Sequence, residues 1–426
     1  MASAATLLIA GTPAVTASAG PTDTESARHG RAEWAGTWAA AVTRGNTVGL
    51  TNTGLNNQSI RMTVQTTVGG DRLRVRLTNL YGEQAVKVGH ATVARPNTAT
   101  EDRSDIDPAT VRDLTFQGAS SATMNKGAEL LSDPLSYPVE EQEDLVVTLY
   151  FPVLTGPVTF HGQSRVTNFI GATDLTTAET SPEFTRKIDC CWMFLSGIDV
   201  ERRLSPGSVV VLGDSIGDGN GSTVNADRRW PDLLAERLID ARPELRTPGV
   251  LNLSLSGNRL NHEGTEPGAG GFPGYYELGP NALARLNEDV FPQTGVRTVI
   301  THLGINDIWM NGDSAEAIIA SLRQLNQQAQ ERGLTSLVGT ITPYEGNGGP
   351  GVWTEEKEAT RQAVNTWLRG AGGAEFDGVI DFDAVLRDPT HPSRLLPAYD
   401  AGDHIHPNDA GAQAMADAVP LRLLGL

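Results

Sequence analysis

The sequence predicts an α/β protein whose carboxyl-terminal half forms a doubly wound parallel sheet, preceded by an all-β sandwich of jelly-roll-like type. Three observations carry this. Val209, Val210, Val211 and Leu212 form an apolar run that stops abruptly at Gly213-Asp214-Ser215, the pattern of a buried parallel strand ending in a turn. From Ser208 onward, short strands of this kind alternate with segments of helical period, which is the signature of crossover helices on a parallel sheet. Between Trp34 and Val200 the chain instead alternates with a period of two and is rich in β-branched residues, with no long amphipathic helix.

In chain order, residues 1–19 are mostly small and apolar, and Ala17-Ser18-Ala19 fits a secretory cleavage pattern, although the basic leader residues are missing. Residues 1–33 are therefore expected to be a signal-like segment with a flexible tail, and the protein to be secreted; a disordered alanine-rich tail is the alternative. Residues 34–200 are the expected sandwich. Strands are predicted over 58–67, 72–80, 85–94, 145–151 and 157–161, with turns at Gly69-Gly70-Asp71 and Tyr81-Gly82-Glu83. Pro206 and Gly207 break the pattern and mark 201–207 as a linker.

The α/β half is expected over 208–426. Strands are predicted at 209–212, 250–253, 298–303, 336–340 and 379–382, and helices at 230–241, 281–290, 315–332, 355–368 and 409–418. Asp313-Ser314-Ala315-Glu316 resembles a capping box, Gly333 fits a helix end, and Thr354 and Asn408 are candidate caps.

With 426 residues, 39% of them hydrophobic and 20% charged, the chain can bury two cores. A formal charge of −18 argues against nucleic acid and anionic membranes as partners. No run after the leader reaches membrane-spanning length, so no stable membrane anchor is expected. The two cysteines, Cys190 and Cys191, are adjacent. They exclude a disulfide framework and leave either a vicinal disulfide or two small buried residues. No metal or organic cofactor is expected.

A serine just beyond the carboxyl end of a parallel strand projects into the crevice where open α/β sheets bind ligands. Ser215 is thus a candidate nucleophile if the chain supplies a base, an orienting acid and oxyanion donors. Asp403-His404-Ile405-His406-Pro407-Asn408 supplies the first two on a single loop: Asp403, three residues before His406, can fix its tautomer. His404 is the rival histidine. Asn306, in Gly304-Ile305-Asn306-Asp307, ends the third strand on the same edge, where a side-chain amide can donate to an oxyanion. Gly257, after the second strand, offers an amide with no Cβ in the way.

Four loops at one edge, carrying Ser, Gly, Asn and Asp-x-x-His in that order, resemble the SGNH (GDSL) hydrolase superfamily. Its blocks are matched at Gly213-Asp214-Ser215-Ile216, with Ile where Leu is usual, at Gly257, at Gly304 to Asp307 and at Asp403 to Pro407. The resemblance implies a flavodoxin-like three-layer α/β/α domain with a five-stranded sheet. It implies Ser215 as nucleophile, His406 as base with Asp403 as partner, and an oxyanion hole from the Ser215 and Gly257 amides and the Asn306 side chain. Gly213-Asp214-Ser215-Ile216-Gly217 also fits the nucleophile elbow of α/β-hydrolases. However, no strands precede it in its domain, and acid and base share one loop.

The amino-terminal half is similar to that of secreted bacterial members of this superfamily, through 38–42 and 194–200, and to arylesterases found beside xylan-degrading genes. The expected function is serine-dependent carboxylic ester hydrolysis through an acyl-enzyme, on short-chain acyl or aryl esters or acetylated carbohydrates. A phospholipase-type lipid acyl hydrolase and a carbohydrate-binding protein with an inactive hydrolase domain are the alternatives. Trp309, Phe272, Tyr275, Tyr276 and Tyr344 are the expected walls of the substrate pocket.

Overall fold

The computed structural model describes residues 32–99, 105–180, 184–188, 190–203, 205–241, 247–265, 278–349 and 351–424. The first half is built from antiparallel strands. One sheet has the order β1 (Glu33–Ala39), β10 (Leu195–Arg202), β3 (Gly70–Thr78), β5 (Leu135–Val139). A second runs β9 (Arg186–Ile188), β8 (Asn168–Ala172), β2 (Gln58–Gln65), β6 (Asp144–Phe151), β4 (His90–Ala94) and then Arg112–Asp113. A small third sheet centres on β7 (Thr159–His161).

The alternation read from the sequence is visible in β3. Leu73, Val75 and Leu77 point into the core, while Arg74 and Arg76 point out to Asp199 on β10 at 2.9 and 3.0 Å. Apolar residues of both large sheets share one core, including Ile60, Val75, Val147 and Ile198, so the two sheets form a sandwich.

The second half carries five parallel strands in the order β12 (Gly249–Asn252), β11 (Ser208–Gly213), β13 (Val296–His302), β14 (Thr335–Gly339), β15 (Gly378–Ile380). Helices α1 (Ser215–Asp218), α2 (Trp230–Ala241), α3 (Ala282–Arg285), α4 (Ala315–Glu331), α5 (Glu355–Arg369), α6 (Phe382–Leu386) and α7 (Asp409–Ala418) connect and flank them. All six residues of β11 are buried, as expected of a central strand covered on both faces. The chain leaves β11 for β12 on one side and later returns to β13 on the other. The switch point therefore lies at β11, where Ser215 follows.

The halves are joined through β1 and the edge strand β12. Gly36 N donates to Thr294 O at 3.0 Å, Val250 N donates to Thr67 Oγ1 at 3.0 Å, and Ala40 bridges Asn252 in parallel. The backbones approach so closely that a Cβ on Gly249 would lie 2.0 Å from Gly36 O; only glycine fits there.

Several boundaries differ from expectation. Glu201 and Arg202, expected in a linker, still belong to β10, because Glu201 pairs with Trp34 and Arg72 across the sheet. The strand expected over 379–382 stops at Ile380; Asp381 caps α6 by accepting from Ala384 N, which turns the chain into a helix. The strand expected over 85–94 divides into Val86–Val88 and β4. Cys190 and Cys191 are joined by a disulfide rather than being two small free residues.

Candidate active site

Ser215 is the first residue of α1 and is 6% exposed. Asp214 caps this helix: its Oδ1 accepts from Ile216 N at 3.0 Å. His406 comes from the loop before α7. That loop is pinned by Asn408, whose side chain caps α7 through Gly411 N at 3.0 Å and donates to Ala398 O and Asp400 O at 3.0 and 3.1 Å.

The hydrogen bonds fix the tautomer of His406. Its Nδ1 lies 2.6 Å from Asp403 Oδ2, so Nδ1 carries the proton, and Nε2 faces Ser215 Oγ at 2.8 Å as acceptor. Asp403 Oδ1 also accepts from Ile405 N at 3.2 Å and His406 N at 2.9 Å. Burial alone would raise the pKa of Asp403. The hydrogen bonds from the His406 ring and the two amides outweigh it and hold the carboxyl well below the usual range. His404 does not reach this chain of contacts; its Nδ1 pairs with Asp400 Oδ2 at 2.6 Å.

Asn306 leaves β13 almost fully buried. Its Nδ2 donates to Asn258 O at 3.0 Å, and its Oδ1 accepts from Trp309 Nε1 at 2.8 Å. An indole N–H can only donate, so it assigns oxygen and nitrogen in the Asn306 amide and keeps the second Nδ2 hydrogen available. Gly257 sits at φ +77 in the turn closed by Asn258 N to Leu255 O at 3.0 Å. The positive φ favours glycine, and a Cβ there would lie 2.3 Å from Leu278 Cδ2 and push that side chain aside. Buried Arg285 braces the same turn through Asn258 Oδ1 at 2.6 Å and through Leu253 O.

Ser215, Gly257, Asn306, Trp309, Asp403 and His406 line one cleft of about 410 Å³, and Gly162 and Gln163 of the sandwich complete its wall. A larger hollow of about 800 Å³, bounded by Glu140, Arg202 and Arg203, contains none of these residues.

The expected pocket aromatics fare differently. Trp309 lies on the wall. Tyr344 does not: it is fully buried in the α/β core, because the segment after β14 turns its ring inward. Phe272, Tyr275 and Tyr276 lie outside the described residues.

Asp307 latches the neighbouring loop by accepting from Leu260 N and Asn261 N, both at 3.0 Å, while burial pushes it up to about 6. It lies within 4.8 Å of His262 and Asp313, the one group among the described residues with metal-ligand spacing. Asp307 is committed to amides and Asp313 to His262 Nε2 at 2.8 Å, so the group reads as a latch.

Two contributors escape sequence reasoning. Asp218, one turn after Ser215, accepts from Ser256 N at 2.9 Å and Ser256 Oγ at 2.7 Å. His161 of the sandwich reaches Asp218 Oδ1 at 2.9 Å. Asp218 stands inside the serine motif and was open to notice; nothing in the sequence marks His161.

Residues 211–414 match the model of the GDSL-like Lipase/Acylhydrolase family. No curated protein matches the chain. Among solved structures, an acetylxylan esterase from Geobacillus stearothermophilus is 22% identical over 52% of this chain and 96% of its own, with a TM-score of 0.36. A GDSL-like lipase from Bacteroides thetaiotaomicron is 14% identical over 51% of this chain and 88% of its own, with a TM-score of 0.37.

Proposed function

We propose, for a chain whose residues 211–414 belong to the GDSL-like lipase/acylhydrolase family and mark it as a carboxylic ester hydrolase, that Ser215 is the nucleophile of a two-step acyl transfer. The observation that carries this is the continuous contact from Ser215 Oγ through His406 to Asp403, at 2.8 and 2.6 Å. Ser215 Oγ attacks the ester carbonyl carbon while His406 Nε2 takes its proton. The resulting oxyanion meets the amides of Ser215 and Gly257 and the second Nδ2 hydrogen of Asn306. Collapse breaks the bond to the alcohol, which leaves with the proton from His406. Water then attacks the acyl-serine by the same route and releases the acid. Asp403 keeps the ring in its tautomer and stabilises the imidazolium.

The substrate reading is a short-chain acyl or aryl ester or an acetylated carbohydrate. A cleft of about 410 Å³ supports it, being near the small end of ligand sites (roughly 300–1,000 Å³). The polar Gln163, Asn220 and Asn347 on its wall support a hydroxyl-bearing alcohol half. We read residues 34–200 as an accessory domain and the protein as exported. The Cys190–Cys191 disulfide supports export, because such bonds persist in oxidising compartments. Among the described residues no helix is long and apolar enough to cross a membrane.

Ser215→Ala is expected to lower p-nitrophenyl acetate turnover by about 10⁴-fold or more with unchanged melting; retained turnover overturns the assignment. In a panel of acyl-chain lengths, acetylated xylan and a phospholipid, kcat/KM should be highest on the short esters or the xylan. A maximum on the phospholipid would refute the substrate reading.

A further inference from the structure

The sandwich contributes more than a wall to the cleft. His161, at the end of β7, is 1% exposed, and its ring packs 5.2 Å from Trp192. Its Nδ1 faces Ala41 O at 2.9 Å; its Nε2 faces Asp218 Oδ1 at 2.9 Å and Gln163 O at 3.2 Å. Backbone carbonyls only accept, and so does an ionised carboxylate. Both ring nitrogens are therefore donors, and the ring is an imidazolium paired with Asp218.

The other oxygen of Asp218 takes both donors of Ser256, at 2.9 and 2.7 Å. Ser256 is the residue immediately before Gly257. Asp218 itself closes the short helix that begins at Ser215. One buried carboxylate thus ties the serine helix to the glycine turn, and its counter-charge comes from the other half of the chain.

We propose that His161 is a positioning residue of the active site: through Asp218 and Ser256 it holds the Gly257 turn in register with Ser215. The inference rests on the acyl-transfer reading above and deepens it, making the sandwich part of the oxyanion-binding apparatus. Burial disfavours a charged imidazole at this position, but the Asp218 charge and hydrogen bond outweigh it and raise the His161 pKa. A buried carboxylate without that partner would gain by turning toward water, and the Ser256 amide would follow it.

The test compares His161→Leu with His161→Gln, whose side-chain amide can still donate toward Asp218. In His161→Leu, kcat is expected to fall roughly 10- to 100-fold with KM nearly unchanged, less than the ~10²–10³ lost when an oxyanion donor is removed outright. Affinity for a trifluoromethyl ketone, which forms a tetrahedral oxyanion on serine, should weaken by the same factor. His161→Gln should recover most of both. Native kcat and inhibitor affinity in His161→Leu would overturn the proposal, as would equal impairment of the two variants.

If His161→Leu does not fold, Ser256→Ala reads the same link from its other end. It removes one of the two bonds to the Asp218 carboxylate and should lower kcat about tenfold, ~1.4 kcal/mol, with KM preserved, since a hydrogen bond to a charged group contributes about that much or more; an unchanged kcat overturns the proposal. A normal His161→Leu beside an inert Ser215→Ala refutes this inference alone, whereas an active Ser215→Ala refutes the acyl-transfer reading beneath it.

Discussion

Two histidine–aspartate pairs flank the helix that carries Ser215, and they do opposite things. In the first, His406 and Asp403 stand three residues apart on one loop, with side chains 17% and 48% exposed. In the second, His161 and Asp218 come from different halves of the chain, with side chains 2% exposed on both sides. Their contacts are alike in length, 2.6 and 2.9 Å. What separates them is the partner of the remaining nitrogen. His406 Nε2 meets a hydroxyl, which can give up its proton. His161 Nδ1 meets a carbonyl, which has none to give. A base needs a free lone pair beside an acid, and only the exposed pair has one. The buried pair keeps its proton and serves as a fastening.

The largest test of this contrast exchanges the loop histidines. His406→Asn should lower kcat by about 10⁴-fold, the scale seen when a triad member is lost, while His404→Ala should stay within about twofold because it is not in contact with the serine. Steady-state turnover of a chromogenic ester checks both, and the reverse order would move the base to His404.

A smaller effect is expected at Trp309. Trp309→Phe keeps the wall but loses the donor that orients Asn306. We expect about a tenfold loss in kcat with little change in KM, short of the ~10²–10³ for losing an oxyanion donor. An unaltered kcat would mean that Asn258 O alone holds the amide.

The smallest effect tests the value of a counter-charge. Asp214 is as buried as Asp218, but its Oδ2 meets no partner. Burial, with Asp307 and Asp218 nearby, pushes it up to about 7. Its folded-state pKa lies above the unfolded value of 3.8. The stability it contributes is therefore full below about pH 4 and is lost as pH rises through about 7. Asp214→Asn keeps an acceptor for Ile216 N and removes the titration. Measured by urea unfolding, its stability relative to the native protein should improve by about 1–4 kcal/mol between pH 5 and pH 8. A difference independent of pH would show that Asp214 is ionised at no cost.

The same contrast explains what the sequence made legible. The His406 loop was readable because acid, base and helix cap lie within six consecutive residues. The parallel strands were readable because burial on both faces leaves apolar runs such as Val209 to Leu212. The buried pair was not, since His161 and Asp218 lie 57 positions apart and only folding brings them together. Tyr344 departs from expectation for a related reason: a tyrosine in a Gly/Pro-rich stretch suggests a rim, yet its backbone continues from β14 and carries the ring into the core. β10 runs past the expected sandwich boundary at Val200: polar Glu201 and Arg202 look like a linker, while pairing across the sheet and the Arg202 bond to Thr247 O at 2.8 Å hold them in place.

The contact between β1 and β12 has a consequence for how this chain can be divided. β12 is the last strand on its side of the parallel sheet, and the sandwich occupies its outer rim through Thr67, Gly36 and Ala40. A fragment starting at Ser208 would keep Ser215, Gly257, Asn306, Asp403 and His406 but lose His161, and it would bare an uncovered strand margin, the kind of surface that recruits a second copy or aggregates. The point where the sequence changes its rhythm is therefore a poor place to cut, because the first half covers the open edge of the second.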